Sequence, residues 1–205
     1  MTPAMHEAGW ADREASVTTD LTLDSLQRRM AAMHGLYYQA VSTMDIDHVN
    51  HFERAGVLPI AFSLFHYTNM EEVGFFLITG SEPLWGPEWQ DRVQMAIDDH
   101  GKHRTVDEMV HQRIGDYEAF KAYQRAVFDR TEAYLDGLDP SEFGRVVITR
   151  PFPEQVASTY SARVAGPEGI TVLDGLECWL YQHGLRHMGE IELARGLVGL
   201  GGMTS

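Results

Sequence analysis

Apolar positions recur at helical spacing in four long stretches of the chain. In "TTDLTLDSLQRRMAAMHGLYYQAVSTM", Leu23, Leu26, Met30, Met33, Tyr37 and Val41 form one stripe, behind a cap at Thr19-Asp20 or Thr22. After the break "DIDHVNHFERAGVLP", Pro59 suits a first helical turn, and a second helix is expected from about Pro59 to Ile78. Its inward stripe reads Phe62, His66, Met70 or Asn69, Val73 and Leu77. A third helix is expected from Thr105 to Leu138, with Thr105 as cap and Glu108 closing a capping box. The fourth runs from Thr171 to about Leu197. Four amphipathic segments in one chain predict an all-α four-helix bundle. Residues 1–20 read as a flexible tail and 21–202 as the single domain.

Between the third and fourth segments, residues 144–170 have no helical period. Val146-Val147-Ile148 and Ser161–Val164 read as short strands or an ordered lid. The stretch is too apolar for a plain linker and leads into the fourth helix. It is expected to cover one end of the bundle, with an oligomer contact as the alternative.

Composition narrows the function classes. Net charge is −14, with 16 Lys and Arg against 30 Asp and Glu, which opposes binding to nucleic acid or anionic lipid through a broad basic face. The single cysteine, Cys178, excludes an internal disulfide and suits a reducing cytoplasm. Its direction on an ideal helix differs from that of His183 by about 140°, so it reads as structural. No apolar run is long enough to span a bilayer, and the N-terminal residues lack the order of a secretion signal. Gly199, Gly201 and Gly202 precede no helix, so they make no phosphate loop.

The candidate chemistry lies on the fourth segment. Leu176, Leu180, His183, His187, Glu190, Ala194 and Leu197 step by four and three residues and share one face. His183 and His187, one turn apart, can reach one ion. Two buried imidazoles without partners are costly, and a divalent metal relieves that cost. Their alternative is an ordinary polar pair. His66, between "AFSLF" and "YTNM", is the third candidate ligand. Three protein ligands and an open position suit a catalytic metal. His48, His51, His100 and His103 read as solvated loop residues, and His34 and His111 lie beside the stripes, with His34 able to line a pocket. Candidates to move a proton are Glu190, Glu71, Tyr67 and Tyr37. Glu190 can instead orient an imidazole, and Glu71 and Glu72 can be a solvated or hydrogen-bonded pair. Trp85 and Trp89 either form a pocket mouth or anchor their loop.

The paired segments "LPIAFSLFHYTNMEEVGFFLITGSEPLW" and "HGLRHMGEIELARGLVGLGG" resemble the DinB/YfiT-like family of metalloenzymes. The likeness covers nearly the whole chain after about residue 20 and includes Pro83-Leu84-Trp85 and Trp89. It departs in the long separation of His66 from His183, which residues 144–170 fill. The resemblance implies a metal triad of His66, His183 and His187, holding Zn, Ni, Fe or Mn. Relatives of that family include bacillithiol- and mycothiol-dependent transferases, a mycothiol-dependent maleylpyruvate isomerase and the helical domain of sulfoxide synthases. It therefore implies a thiol-dependent S-transferase or isomerase acting on a small electrophile, with a thiol such as mycothiol as co-substrate and Glu190 or Tyr67 as acid or base. A homodimer is a further expectation. Two alternatives stand beside it: a thiol-independent cyclase, isomerase or hydrolase of secondary metabolism, and a non-catalytic metal- or ligand-binding protein.

Overall fold

The computed structural model describes residues 20–203. Apart from Asp20, the expected tail lies outside them. Four long helical stretches share one core, and a small two-stranded sheet sits beside them. The first helix, Leu21–Ser42, starts at Asp20, whose carboxylate accepts from the Thr22 and Leu23 amides at 2.9 Å each. The second, Ile60–Thr79, follows Pro59 and stops at Gly80, which takes the left-handed conformation (φ +75°) open to a residue without Cβ. The third, Tyr117–Asp136, is capped by Asp116. The fourth begins at Thr171, where a capping box with Asp174 closes Val172–Gly175. It passes through a wide π turn at Leu176–Tyr181 and continues as Gln182–Leu197. The second and fourth helices pack closely, as do the first and third. Buried Leu26, Met30, Phe65, Phe120, Phe128 and Ile191 knit them together, each worth roughly 1.5–3 kcal/mol of burial.

Three expectations change. The third helix does not run unbroken from Thr105. The capping box of Thr105 and Glu108 forms, but it caps only Val106–Met109. Beyond it, side chains tie this stretch to other segments: the Ile114 amide donates to Asn50 Oδ1, and Gln112 Oε1 accepts from the Ile97 and Arg113 amides. Gly115 lies so close to Gln94 that a Cβ would stand 2.7 Å from its carbonyl oxygen. Local capping therefore loses to tertiary hydrogen bonds until Asp116 restarts the helix.

Second, of the two short strands read in residues 144–170, only the first forms as one. The β-branched run Val146–Thr149 forms strand β1, paired antiparallel with β2, Gly169–Thr171, through Val146↔Thr171, Ile148↔Ile170 and Thr149↔Gly169. A Cβ at Gly169 would stand 2.1 Å from the Ile148 carbonyl oxygen, so the pairing needs glycine there. Ser161–Val164 is not a strand. It lies in the short helix Tyr160–Val164, capped by Thr159.

Third, the expected stripe of the second helix is not its core face. Leu64, Phe65, Tyr67, Thr68, Glu71 and Glu72 are buried, whereas His66, Met70 and Val73 are half-buried and Leu77 is exposed. That stripe faces a cavity. The buried side tolerates its carboxylates because each is fully partnered. Glu71 accepts from Tyr67 and Thr131 and meets His34, while Glu72 accepts from the Leu84 and Trp85 amides, Tyr123 and Arg130. Glu71 and Glu72 are thus a hydrogen-bonded pair and not a solvated one.

Candidate metal centre

His66 comes from the second helix, and His183 and His187 from the fourth, just past the π turn. One ligand atom from each lies within 4.8 Å of the other two. Their ring centroids are 4.6–5.4 Å apart. The remaining sides of two rings are held. His66 Nδ1 donates to the His100 carbonyl. His187 Nδ1 donates to Glu190 Oε2 at 2.7 Å. With Nδ1 of His66 and His187 occupied, their Nε2 lone pairs are the free ones, and Nε2 of His183 faces that of His187.

Burial and the neighbouring imidazole of His187 push His66 down from 6.5 to about 4. The same causes, with His66 added, push His183 down to about 3. Both rings stay neutral at pH 7 and keep lone pairs to give. An all-imidazole donor set of this kind suits Zn, Ni or Fe.

Glu190 stands where the reading of it as a group that orients an imidazole places it, one hydrogen bond from His187. Besides His187, its Oε2 accepts from Ser63 Oγ at 3.1 Å, which ties the second helix to the fourth. The hydrogen bond from His187 holds its carboxyl below the usual range. Tyr67 is fully buried, and its hydroxyl donates to Glu71 at 2.5 Å. Burial and Glu71 raise that phenol well above 10, so it keeps its proton. Tyr37 is also buried and donates to the Gly184 carbonyl at 2.9 Å. Trp85 packs on Phe65 and Tyr123, and Trp89 also packs on Tyr123, so both anchor their loop.

A cavity of about 550 Å³ opens beside the cluster, with His66 and His183 in its wall. Met70, Val73 and Leu77 form one side and Cys178 and Trp179 another. Residues 155, 156 and 158–161 also line it, so part of the segment between the strands stands in the wall that His66 and His183 share. Trp179 Nε1 donates to Ser161 Oγ at 2.9 Å and fastens that part of the wall to the fourth helix. Arg150 donates to the Ala162, Ala165 and Gly166 carbonyls and closes its short helix. Cys178 departs from expectation. The π turn changes the angular step along the helix, and the thiol lines the cavity.

Lys102 and Arg186 also line the cavity and were not singled out from the sequence. Arg186 carried a usable signal: it follows His183 by three residues and so shares its face. Lys102 carried none, because nothing local shows where its loop folds back.

No family model matches the chain, and no curated protein matches it at a significant level. Among solved structures it is similar to a conserved locus protein from Enterococcus faecalis, with a TM-score of 0.68 and 15% identity over 88% of this chain and 99% of the other. At that identity the likeness speaks for the fold alone. No helix among the described residues is long and apolar enough to cross a membrane.

Proposed function

We propose that the chain is a DinB-like four-helix bundle and a metal-dependent enzyme that works on a small molecule in the cavity beside His66, His183 and His187. The leading reaction class is thiol-dependent S-transfer or isomerisation, with a low-molecular-weight thiol such as mycothiol as co-substrate. The observation that carries this reading is the convergence of three imidazoles, those of His66 and His187 hydrogen-bonded on their outer sides, beside a cavity that His66 and His183 line. A divalent ion held there supplies positive charge that lowers the pKa of a thiol and polarises oxygen.

The chain's own groups have separable tasks. Glu190 fixes the tautomer of His187, and the His100 carbonyl does the same for His66. Glu190 Oε1 makes no hydrogen bond among the described residues and is the group best placed to take a proton beside the cluster. Tyr67 is a positioning residue, because its proton is committed to Glu71. The segment around Thr159–Ser161 forms part of the cavity wall and shapes it.

The test uses protein purified without a histidine tag. Elemental analysis is expected to give about one divalent metal per chain, and the triple variant His66→Ala, His183→Ala, His187→Ala should lose it. Full metal content in that variant would overturn the metal reading. Cobalt-loaded protein is expected to gain a thiolate charge-transfer band on addition of thiol. Turnover that needs no thiol would instead favour a thiol-independent metalloenzyme.

A further inference from the structure

The described lining of the cavity beside the histidines carries cationic side chains and no acidic ones. The chain carries 30 Asp and Glu against 16 Lys and Arg. Yet among the described residues no carboxylate lines the cavity, whereas Lys102 and Arg186 both do. Neither cationic head makes an ion pair or hydrogen bond among the described residues. In so acidic a chain, two unpaired cations on one cavity need a reason.

The local structure keeps Lys102 unpaired. Asp98 and Asp99 precede it closely in sequence, but Lys102 pairs with neither among the described residues, and Arg104 takes Asp99 with two nitrogens, at 3.0 Å and 2.5 Å. Asp99 also accepts from the Gly101 amide at 2.8 Å, and His100 Nδ1 accepts from the Lys102 amide at 3.1 Å. Gly101 takes φ +76° and lies so near Phe62 that a Cβ would stand 2.7 Å from its ring. The loop is therefore pinned against the second helix, and the same loop supplies the carbonyl that holds His66. Arg186 approaches from the fourth helix, on the face of His183. The two cations are thus fixed to the elements that carry the histidines.

We propose that Lys102 and Arg186 bind the carboxylate of a small substrate whose apolar body lies along Met70, Val73, Leu77 and Trp179. This rests on the reading of the cavity as the substrate site and names the class of substrate. The two cations place the charged end, and the apolar wall directs the remainder toward His66 and His183. Both cations keep access to solvent, and charge-assisted hydrogen bonds to a carboxylate give such a contact its strength.

The probes are 3-phenylpropionate and its neutral isostere 3-phenylpropionamide, titrated calorimetrically into the full chain. The carboxylate is expected to bind roughly tenfold more tightly than the amide, with an affinity that falls as salt rises. Lys102→Gln/Arg186→Gln should abolish the preference while keeping the metal content of the parent. His183→Ala/His187→Ala should keep the preference even where metal is lost, which separates this inference from the metal reading. Equal affinity of acid and amide for the parent overturns the proposal. So does a preference that survives the double glutamine variant but vanishes with the histidines, because the carboxylate would then sit on the metal. If the glutamine variants fail to fold, salt-independent binding of the carboxylate to the parent overturns it.

Discussion

The Nε2 atoms of His183 and His187 face each other across 2.9 Å. With His187 Nδ1–H given to Glu190, its Nε2 carries a lone pair directed at its neighbour. Two such lone pairs at this distance repel unless a proton or a cation lies between them. The helix repeat places the rings, and Glu190 decides which nitrogen of His187 is presented.

Glu190→Ala is therefore expected to weaken metal affinity by about 10–100-fold, the usual effect of losing the partner of a ligating histidine. Glu190→Gln keeps an oxygen that can accept from Nδ1 and should lose much less. Competition with a chromophoric chelator measures both. Equal affinity for the alanine variant and the parent would remove Glu190 from the positioning role.

Gly184 sits between the two histidines of the fourth helix. A Cβ there would stand 2.2 Å from Met33 Sδ and 2.7 Å from the Tyr67 hydroxyl. Alanine in a helix interior ordinarily gains roughly 0.5–1 kcal/mol over glycine. Here overpacking outweighs that gain, at typically about 1–3 kcal/mol. Met33 is flexible but buried, and Tyr67 is pinned by Glu71. Gly184→Ala should lower the melting temperature, and it should also shift His183 and reduce metal content. A variant as stable as the parent would show that the helices separate easily.

His34 gives the fold a pH dependence. Its Nδ1 meets Glu132 at 2.7 Å, its Nε2 meets Glu71 at 3.2 Å, and its ring stacks on Phe128. Burial opposes the imidazolium, but Glu71 from the second helix and Glu132 from the third outweigh it and raise His34 from 6.5 to about 9. The folded state thus favours the protonated ring. The resulting stabilisation is complete below about pH 6.5 and is lost as pH rises through about 9. Its upper bound is about 3 kcal/mol. Urea unfolding should show falling stability across that window, and His34→Gln should flatten the slope. An unchanged slope in the variant would assign the effect elsewhere.

The site was more legible than its surroundings. A spacing of four residues is a local property, so the meeting of His183 and His187 could be read directly, and that of His66 with them followed from its apolar neighbours. The same reading mistook the cavity wall for the core. His66, Met70 and Val73 keep helical spacing on a helix whose opposite side is also apolar, and periodicity alone does not choose between two apolar sides. His34 went unpartnered in the sequence because Glu71 and Glu132 reach it from other helices. The third helix was read too long for a related reason. The capping box of Thr105 is real, but the groups that end its helix, Asn50 and Gln112, act across the fold. The π turn has no local signature, which is why Cys178 was pointed the wrong way.

Cys178 now stands in the cavity wall, where a thiol could be taken for a nucleophile. Burial raises it from 9.0 to about 11, and Asp174 and Glu177 push in the same direction. At pH 8 it is therefore almost wholly protonated, and the thiolate is the reactive form. Alkylation by iodoacetamide should be slow at pH 8 and should rise with a midpoint near pH 11, well above that of an ordinary free thiol. Cys178→Ser should keep metal content and turnover close to the parent, because neither depends on this sulfur. If 3-phenylpropionate occupies the cavity, it should slow alkylation further by covering the thiol. A midpoint near pH 8, or loss of turnover in Cys178→Ser with the fold and the metal intact, would make Cys178 a participant in the chemistry and not part of its wall.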